Sequence, residues 1–302
     1  MAEPPTRLLP LDVPVDLGLT LGPLCRGRGD PTMRLAPARA VRAWRTSHGP
    51  VTLELSHEGR AVRAAAWGPG AETALDALPA LLGLDDAAAD TFAPAHPLLA
   101  LLRPRMRGLR FGRTGAVLDA LVPAILEQKV TGAESRRAFR LLVARHGEPA
   151  PGPHGLRLQP SAAALADLPT WAYHRAGVEE RRAATIRRVA DLADRLEPCA
   201  MLPAADASAR LRSIPGIGPW TAAETAQRAL GDSDAVSVGD LHVPDTVAWA
   251  LAREPRGDDA RMLELLEPYR GQRARVVRWI ESAGIGAPRR GPRVAPRSIA
   301  TI

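Results

Sequence analysis

The sequence predicts a mainly α-helical protein in which two helical subdomains surround a helix–hairpin–helix, after a small N-terminal antiparallel α+β domain. Three observations support this fold class. Alternation of apolar and polar residues is confined to the first part of the chain, and from His96 onward apolar residues recur at spacings of three and four. A Pro-Gly-Ile-Gly-Pro run at residues 215–219 then separates two helical patterns.

These observations also divide the chain into domains. We expect the α+β domain at residues 1–95, the helical core at 96–283 with its helix–hairpin–helix at 206–230, and a basic flexible tail at 284–302. The tail carries four arginines and no acidic residue. Such a composition adds nonspecific affinity for a polyanion.

The N-terminal domain is predicted to contain a small antiparallel sheet. Apolar and polar residues alternate from Val51 to Ser56, and the chain then turns at His57–Arg60 and returns as a second strand from Ala61 to Trp67. The apolar run from Val15 to Leu21 is compatible with an edge strand, and a helix is expected from Ala71 to Leu82. Nothing in this domain indicates chemistry.

Amphipathic helices are predicted throughout the helical core. The first runs from Arg113 to Gln128 and the second from Glu134 to His146, each with apolar residues on one face. A third strong pattern covers Val178 to Leu196, and a further helix begins at His242.

The hairpin is the most informative stretch of the chain. Gly216 and Gly218 permit positive φ angles in a tight turn, and Pro219 suits the first position of the next helix. The free N–H groups of that helix, around Trp220 and Thr221, form an anion site that fits a DNA phosphate. The turn residues Gly216, Ile217 and Gly218 are predicted to bind DNA with them. The sequence therefore predicts a hairpin that binds the nucleic-acid backbone without recognising the base sequence. The alternative interpretation is a turn between helices that has only a packing role.

The string Pro-Gly-Ile-Gly-Pro-Trp-Thr-Ala resembles the hairpin of the helix–hairpin–helix base-excision DNA glycosylases, the superfamily of endonuclease III and 3-methyladenine DNA glycosylase II. The resemblance spans residues 113–283 and is closest to the latter branch. It implies an essential aspartate after a short extended run, which here is residues 235–239 followed by Asp240. Because Asp240 also precedes a helical pattern, helix capping alone is the structural alternative.

The resemblance assigns further DNA contacts to the turn after the first core helix. Residues 125–132 match the turn that supplies a wedge into the gap left by an extruded base, which implies DNA-binding roles for Gln128 and Lys129. Relatives often have glutamine or leucine where this chain has Lys129. Two roles therefore remain for this lysine: it fills the gap left by the extruded base, or it forms an ion pair with a phosphate.

A substrate pocket and a cation site follow from the same resemblance. The implied pocket residues are Trp220, Leu241 and Trp279. Two alignments of the last helix with the family, one residue apart, place either Trp279 or Arg278 at the third position. Glu224 and Leu241 stand where some relatives have tyrosines. The implied metal site is a monovalent one, Na⁺ or K⁺, held by the backbone carbonyls of three hairpin residues, Arg212, Ile214 and Ile217.

The expected reaction is hydrolysis of the N-glycosidic bond by a monofunctional enzyme that removes damaged, alkylated purines in base excision repair. Bifunctional relatives have a hairpin lysine where this chain has Trp220, and Lys129 is the only lysine of the sequence. Cys25 and Cys199 are too few for a four-cysteine cluster. The alternative is a non-catalytic helix–hairpin–helix DNA-binding protein, and no clustered carboxylate or histidine motif favours a metal nuclease.

Composition agrees with a nucleic-acid partner. The 302 residues carry a formal net charge of +7, with a pI near 10.6. The sequence begins without a signal-peptide pattern and contains no apolar stretch of membrane-spanning length. We therefore expect a soluble, cytoplasmic, nucleoid-associated monomer that binds double-stranded DNA with a damaged base, contacts no membrane and needs no organic cofactor.

Overall fold

The computed structural model describes residues 3–288, and all structural statements refer to that part of the chain. The strands are β1 (Thr6–Pro10), β2 (Met33–Ala36), β3 (Arg39–Thr46), β4 (Gly49–Glu58) and β5 (Ala61–Trp67). They form one antiparallel sheet in the order β1-β5-β4-β3-β2. The predicted N-terminal antiparallel sheet is confirmed.

Helices make up most of the rest. They are α1 (Leu17–Leu21), α2 (Ala71–Asp76), α3 (Leu78–Leu81), α4 (Ala88–Thr91), α5 (Pro97–Leu102), α6 (Val117–Leu126), α7 (Gly132–His146), α8 (Ala162–Asp167), α9 (Thr170–Arg175), α10 (Glu180–Asp191), α11 (Ala193–Leu196), α12 (Ala204–Arg212), α13 (Pro219–Ala229), α14 (Val243–Ala252), α15 (Asp259–Leu266) and α16 (Arg273–Ser282). Short 3₁₀ turns lie at Gly22–Leu24, Arg103–Met106, Glu197–Met201 and Glu267–Tyr269.

The sheet owes its register to the alternating pattern of β4. Val51, Leu53 and Leu55 are at most 2% exposed and form the face that packs on α2 and α3. A shift by one residue would move this apolar set to the opposite face of the sheet, away from α2 and α3, so the packing of this face fixes the pairing.

The predicted edge strand over Val15 to Leu21 is wrong, because part of that run forms α1. Asp16 precedes it with an extended backbone, and its carboxylate accepts the N–H of Leu19 at 2.9 Å. This N-cap satisfies an otherwise free donor of the first turn, which favours a helix over a strand. The helix predicted from Ala71 to Leu82 is divided into α2 and α3, with Pro79 in the first turn of α3.

The two helical subdomains predicted from the sequence are confirmed. One core lies among α6, α7, α10, α12 and α13, with Leu121, Ile125 and Ile186 fully buried. The other joins α5 to α14, α15 and α16 around Leu99, Val247 and Ile280.

The second core is assembled from two distant stretches of chain. A buried ion pair spans them, in which Nη2 of Arg275, a residue with no exposed surface, lies 2.6 and 2.7 Å from the two carboxylate oxygens of Asp86.

The boundary expected at residue 95 stays a prediction, as do the other domain limits. Most of the predicted tail, including its four arginines, lies outside the described residues. Within residues 3–288, no helix is both long and apolar enough to cross a membrane.

Candidate active site

The helix–hairpin–helix consists of α12, a turn over residues 213–218, and α13. Ile214 and Ile217 are 6% and 5% exposed and anchor the turn in the first helical core, and the N–H of Ile217 donates to the carbonyl of Ile214 at 3.0 Å. Gly216 has a φ of +99°, which only glycine adopts readily. Gly218 has φ −92° and ψ 179°, so the positive φ expected for it is wrong.

The two hairpin glycines differ in their surroundings as well. A Cβ on Gly216 would lie 2.4 Å from Oγ1 of Thr185, because the turn packs closely on α10. A Cβ on Gly218 would meet nothing within 4 Å. Gly216 therefore serves the packing of the hairpin, whereas Gly218 belongs to its open surface at the N-terminus of α13.

Gln128 joins the turn after α6 to the hairpin. Its Nε2 donates to the carbonyl of Gly216 and to Oγ1 of Thr221, both at 2.9 Å. The side-chain amide of Gln128, a residue predicted to contact DNA, thus donates both hydrogen bonds within the protein, where it positions the hairpin. Lys129 beside it is exposed and has a φ of 54°, so the backbone turns sharply at the predicted wedge.

Asp240 lies between the loop of residues 235–239 and α14, and both of its carboxylate oxygens are held. The run predicted to be extended turns at Val238 and Gly239, where Gly239 has a φ of +92°. Oδ2 accepts the indole N–H of Trp220 at 2.9 Å, and Oδ1 accepts the backbone N–H groups of His242 at 2.7 Å and Val243 at 3.0 Å. The N-cap of α14 is His242 rather than Asp240, but the Asp240 carboxylate accepts the N–H of Val243, the first helical residue. These backbone bonds satisfy part of the helix start and aim the carboxylate at the same time. Trp220 is only partly buried, and its indole ring belongs to this site rather than to the core.

A buried ion pair lies one turn further along α13. Nη1 of Arg228 is 2.5 Å from Oε2 of Glu224, and the hydroxyl of Ser237 donates to Oε1. Burial alone would raise the pKa of Glu224, but Arg228 and Ser237 outweigh it and hold that pKa below its ordinary value. This position, where some relatives have a tyrosine, is occupied here by an ion pair that faces the run leading to Asp240.

The structure corrects the predicted role of Trp279. Trp279 is 2% exposed and packs edge-on against Phe92, with ring centroids 5.2 Å apart, in the second helical core. Arg278 instead points to α13, where its Nη2 donates to Oε1 of Gln227 at 2.8 Å. The register therefore places Arg278, rather than Trp279, on the side of the Glu224–Arg228 pair.

Leu241, the third residue predicted to line the substrate pocket, does not line an enclosed cavity either. Leu241 is 82% exposed, so its side chain lies on the surface next to Asp240. Three polar residues that were not predicted from the sequence form a connected group with Glu224, namely Gln227, Arg228 and Ser237. The spacing of four residues between Glu224 and Arg228, which places both on one helix face, was a usable signal for part of this group.

The donor set proposed for a monovalent cation fits its chemistry. Of the predicted ligands, Ile214 has a carbonyl that accepts one backbone N–H and keeps a second lone pair for a cation. The neighbouring carbonyls of Pro215 and Gly216, which were not predicted as ligands, accept side-chain hydrogen bonds from Arg188 and Gln128. Neutral carbonyl oxygens suit a hard cation. Among the described residues, no group of three or more His, Cys, Asp or Glu side chains is arranged to hold a metal ion.

Curated relatives match part of the chain. A probable bifunctional transcriptional activator/DNA repair enzyme AlkA, found in two strains of Mycobacterium tuberculosis, is 37% identical over 151 residues. The match covers 49% of this chain and spans 30% of the length of those relatives. No family model matches the chain.

Solved structures match nearly the whole chain. A 3-methyladenine DNA-glycosylase from Archaeoglobus fulgidus superposes with a TM-score of 0.75 at 20% identity, covering 91% of this chain and 96% of that one. An 8-oxoguanine glycosylase/lyase from Clostridium acetobutylicum, in complex with double-stranded DNA, gives 0.69 at 14% identity, with 90% and 93% covered. The chain therefore has the fold of the helix–hairpin–helix DNA glycosylases.

Proposed function

We propose that this chain, which has the glycosylase fold, is a monofunctional DNA glycosylase that releases damaged, alkylated purines by hydrolysis of the N-glycosidic bond. The observation that carries the proposal is the placement of Asp240. Its carboxylate is fixed by the Trp220 indole and by two backbone N–H groups, immediately after the helix–hairpin–helix.

The reaction requires the target base to leave the duplex, because a buried glycosidic bond is out of reach. The open N-terminus of α13 at Gly218 supplies backbone N–H groups for a phosphate, and the exposed Lys129 is the side chain that would occupy the gap in the duplex. Double-stranded DNA with a damaged base is the proposed partner, bound by a monomer in the cytoplasm.

Asp240 would act on the sugar. Positive charge develops on the deoxyribose as the bond from C1′ to the base breaks, and a preorganised carboxylate stabilises that charge or orients the attacking water. A lyase step through a Schiff base would need an amine at the hairpin, where this chain has Trp220. Hydrolysis is therefore the proposed outcome.

Alkylated purines are proposed as substrates for two reasons. The curated relatives are named as a probable transcriptional activator/DNA repair enzyme AlkA, and one solved neighbour is named as a 3-methyladenine DNA-glycosylase. A purine with a positively charged ring also leaves with little protonation, and the indole face of Trp220 attracts such a ring by a cation–π contact.

The proposal includes a monovalent cation, Na⁺ or K⁺, at the carbonyls of Arg212, Ile214 and Ile217. When bound, it would add positive charge where the hairpin meets a phosphate. Comparing duplex affinity in potassium chloride with that in a bulky tetraalkylammonium salt of equal ionic strength tests this part of the proposal. Equal affinities would count against the cation.

The decisive experiment measures base release from duplexes that contain one damaged base each, under single-turnover conditions. The wild type should release alkylated purines, and Asp240→Asn should do so about a hundred- to a thousandfold more slowly. The asparagine carbonyl can still accept the N–H groups of His242 and Val243 at the start of α14, so we expect a stability cost of about 1 kcal/mol and nearly unchanged binding to an undamaged duplex.

The alternative function, a non-catalytic DNA-binding protein, makes a different prediction. It requires that no base is released from any duplex in the panel, although the DNA is bound. A well-folded Asp240→Asn variant that excised every lesion at the wild-type rate would leave Asp240 as a helix cap only, and the proposed active site would be wrong.

A further inference from the structure

The arginine loop, residues 26–30 of the N-terminal domain, lies outside the site described above. Its sequence is Arg-Gly-Arg-Gly-Asp, and the carboxylate of Asp30 closes it. One oxygen of Asp30 accepts the backbone N–H of Arg26 at 2.6 Å, and the other accepts the backbone N–H and the hydroxyl of Thr32 at 2.8 and 2.7 Å. Asp30 is buried, so these bonds hold the loop in one backbone conformation.

Arg28 forms the exposed tip of this loop. The glycines before and after it, Gly27 and Gly29, have φ angles of +81° and +83°, in the left-handed region that favours glycine. The chain therefore turns on both sides of Arg28, and the loop presents this residue to solvent from a fixed backbone.

The arginine loop is fastened to the turn that follows α6. Nη1 of Arg26 lies 3.1 Å from Oε1 of Glu127, and the Arg26 side chain is only 9% exposed. Gln128, the next residue of the turn, binds the hairpin through its amide, and Lys129 after it is exposed. Neighbouring residues of one turn therefore hold the arginine loop and the hairpin, so both keep a fixed position relative to Lys129.

Two arginines of α7 lie against the arginine loop. A Cβ on Gly27 would lie 2.8 Å from Cδ of Arg136, and a Cβ on Gly29 would lie 3.7 Å from Cδ of Arg140. Arg136 also extends towards the start of its own helix, because its Nη1 would lie 2.8 Å from a Cβ on Gly132, the first residue of α7. The loop and the first half of α7 therefore form one continuous surface.

Three arginines make up this surface, which we call the loop surface: Arg28, Arg136 and Arg140. Within residues 3–288, none of the three forms an ion pair or a side-chain hydrogen bond. The carboxylates nearby are engaged in other contacts. Glu127 pairs with Arg26, Asp30 closes the loop, and Glu134 belongs to the capping box of α7. Unpaired arginines gathered on one surface favour a polyanion, and guanidinium groups match the geometry of phosphates.

A duplex with an extruded base presents two strands to the turn after α6. A side chain that enters the gap, the role proposed for Lys129, has the damaged strand on one side and the complementary strand on the other. The hairpin carries Trp220, which contacts Asp240, so the hairpin lies with the strand whose sugar reacts. The loop surface, held by the same turn, is then left for the complementary strand.

We propose that the loop surface binds the sugar–phosphate backbone of the complementary strand while the hairpin binds the damaged strand. Arg28 at the loop tip and Arg136 beside it carry the contact, and Arg140 extends it along α7. Contacts with phosphates fix the position of a duplex without reading its sequence. The inference rests on the proposed function and adds that tight binding depends on both strands.

Binding to double and single strands tests the proposal. Fluorescence anisotropy measures affinity for a duplex with one central tetrahydrofuran abasic analogue, which fixes the position of the protein, and for the analogue-containing strand alone. Arg28→Gln combined with Arg136→Gln should weaken duplex binding about tenfold and lower its salt dependence by about two phosphate contacts, with little change on the single strand. Arg60→Gln, at an exposed arginine between β4 and β5, should change neither affinity. Equal losses on both DNAs, or no loss on the duplex, would overturn the inference.

Uncharged methylphosphonate linkages identify the strand. Placed beside the analogue in either strand of the duplex, they should weaken binding by the wild type. The double variant should be insensitive to linkages in the complementary strand and stay sensitive to those in the damaged strand, and Gly218→Leu should show the opposite pattern. A double variant that responds to the complementary strand as the wild type does would contradict the strand assignment.

Asp30→Ala separates a shaped surface from general positive charge. The substitution makes the protein more positive by one charge, so nonspecific attraction alone predicts tighter duplex binding. It also removes the hydrogen bonds that close the loop, so a shaped surface predicts binding weaker by about threefold or more, because Arg28 must then be ordered on binding. Circular dichroism checks that each variant is folded, and unchanged or tighter binding by Asp30→Ala would refute a shaped surface.

The outcome for the loop surface is separable from the outcome for the proposed function. Binding that depends on both strands, by a wild type that releases no base, would refute the glycosylase and leave the loop surface in a DNA-binding protein. Base release by the wild type, together with equal losses on both DNAs in the double variant, would refute the loop surface alone.

Discussion

The indole N–H of Trp220 donates a hydrogen bond to Oδ2 of Asp240 at 2.9 Å and so links the first turn of α13 to the start of α14. The two residues are twenty positions apart. Trp220 lies in the first turn of a helix of the first helical core, and Asp240 lies just before a helix of the second. Because the other oxygen of Asp240 is held by backbone N–H groups, the carboxylate is fixed in both position and rotation. Trp220 is thus a positioning residue for the proposed reaction, in addition to the cation–π contact proposed for its indole face.

Trp220→Phe tests this positioning role. Phenylalanine keeps an aromatic face and loses only the donor, and a hydrogen bond to a charged group contributes about 1.5–3 kcal/mol. We expect single-turnover excision to slow by about 10- to 100-fold, with little change in duplex binding or thermal stability. Excision at the wild-type rate would show that the indole N–H does not orient Asp240.

The hairpin glycines should respond differently to substitution. Gly216→Ala forces an alanine to a φ of +99° and places its Cβ against Thr185, so the free energy of unfolding should fall by about 2 kcal/mol or more. Gly218→Ala introduces neither problem, and its stability should change by less than about 0.5 kcal/mol. Urea denaturation of both variants provides the comparison, and equal losses would contradict the packing role of Gly216.

A bulky side chain at Gly218 should weaken DNA binding instead. Leucine there would project into the open space at the N-terminus of α13, where a phosphate is proposed to bind, so Gly218→Leu should reduce affinity while the protein stays folded. Fluorescence anisotropy with an undamaged duplex at several salt concentrations measures this. The wild-type affinity should fall steeply with salt and depend little on sequence, and an affinity independent of salt would contradict a backbone grip.

No covalent adduct with DNA should form during excision. Lys129 is the only lysine of the sequence, and the hairpin position used by lyases holds Trp220. Borohydride reduction during excision should therefore trap no protein–DNA complex, with the Clostridium acetobutylicum glycosylase/lyase as a positive control. A trapped complex that disappears in Lys129→Ala would show that this lysine reaches the sugar.

The Glu224–Arg228 pair should make stability depend on pH. The pKa of Glu224 is lowered in the folded protein, so its stabilising effect is present at neutral pH and is lost as the pH falls below the ordinary glutamate range. Glu224→Gln leaves Arg228 buried without its partner, which should cost about 3 kcal/mol at pH 7 and much less at pH 4. Glu58→Gln, which removes an exposed ion pair with Arg63, is the matched control and should have a far smaller effect.

Local signals made much of the fold predictable. The alternation in β4 and the periodic apolar residues of α6 and α10 each reflect burial of one face, which a sequence records directly. The hairpin was predictable because Gly216 and Pro219 impose backbone conformations of their own.

Long-range partners account for most errors. The helix predicted from Arg113 begins four residues later, at Val117, because the carboxylate of Glu197 accepts the N–H groups of Val117 and Leu118 at 2.8 and 2.9 Å. A cap that comes from 80 residues away leaves no local pattern. The choice between Arg278 and Trp279 likewise depended on partners in other elements, Gln227 for one and Phe92 for the other.

The assembly of the second helical core has a consequence for the order of folding. Its two parts are held together by the pair of Asp86 and Arg275, which are 189 residues apart, so α5 must wait for the last helices before it can bury its apolar face. The first core, with the hairpin, is contiguous in sequence and closes without this long loop. A partly unfolded form in which only the second core has opened would keep the hairpin and lose the position of Asp240, so we expect such a form to retain the proposed phosphate contact without the proposed base release.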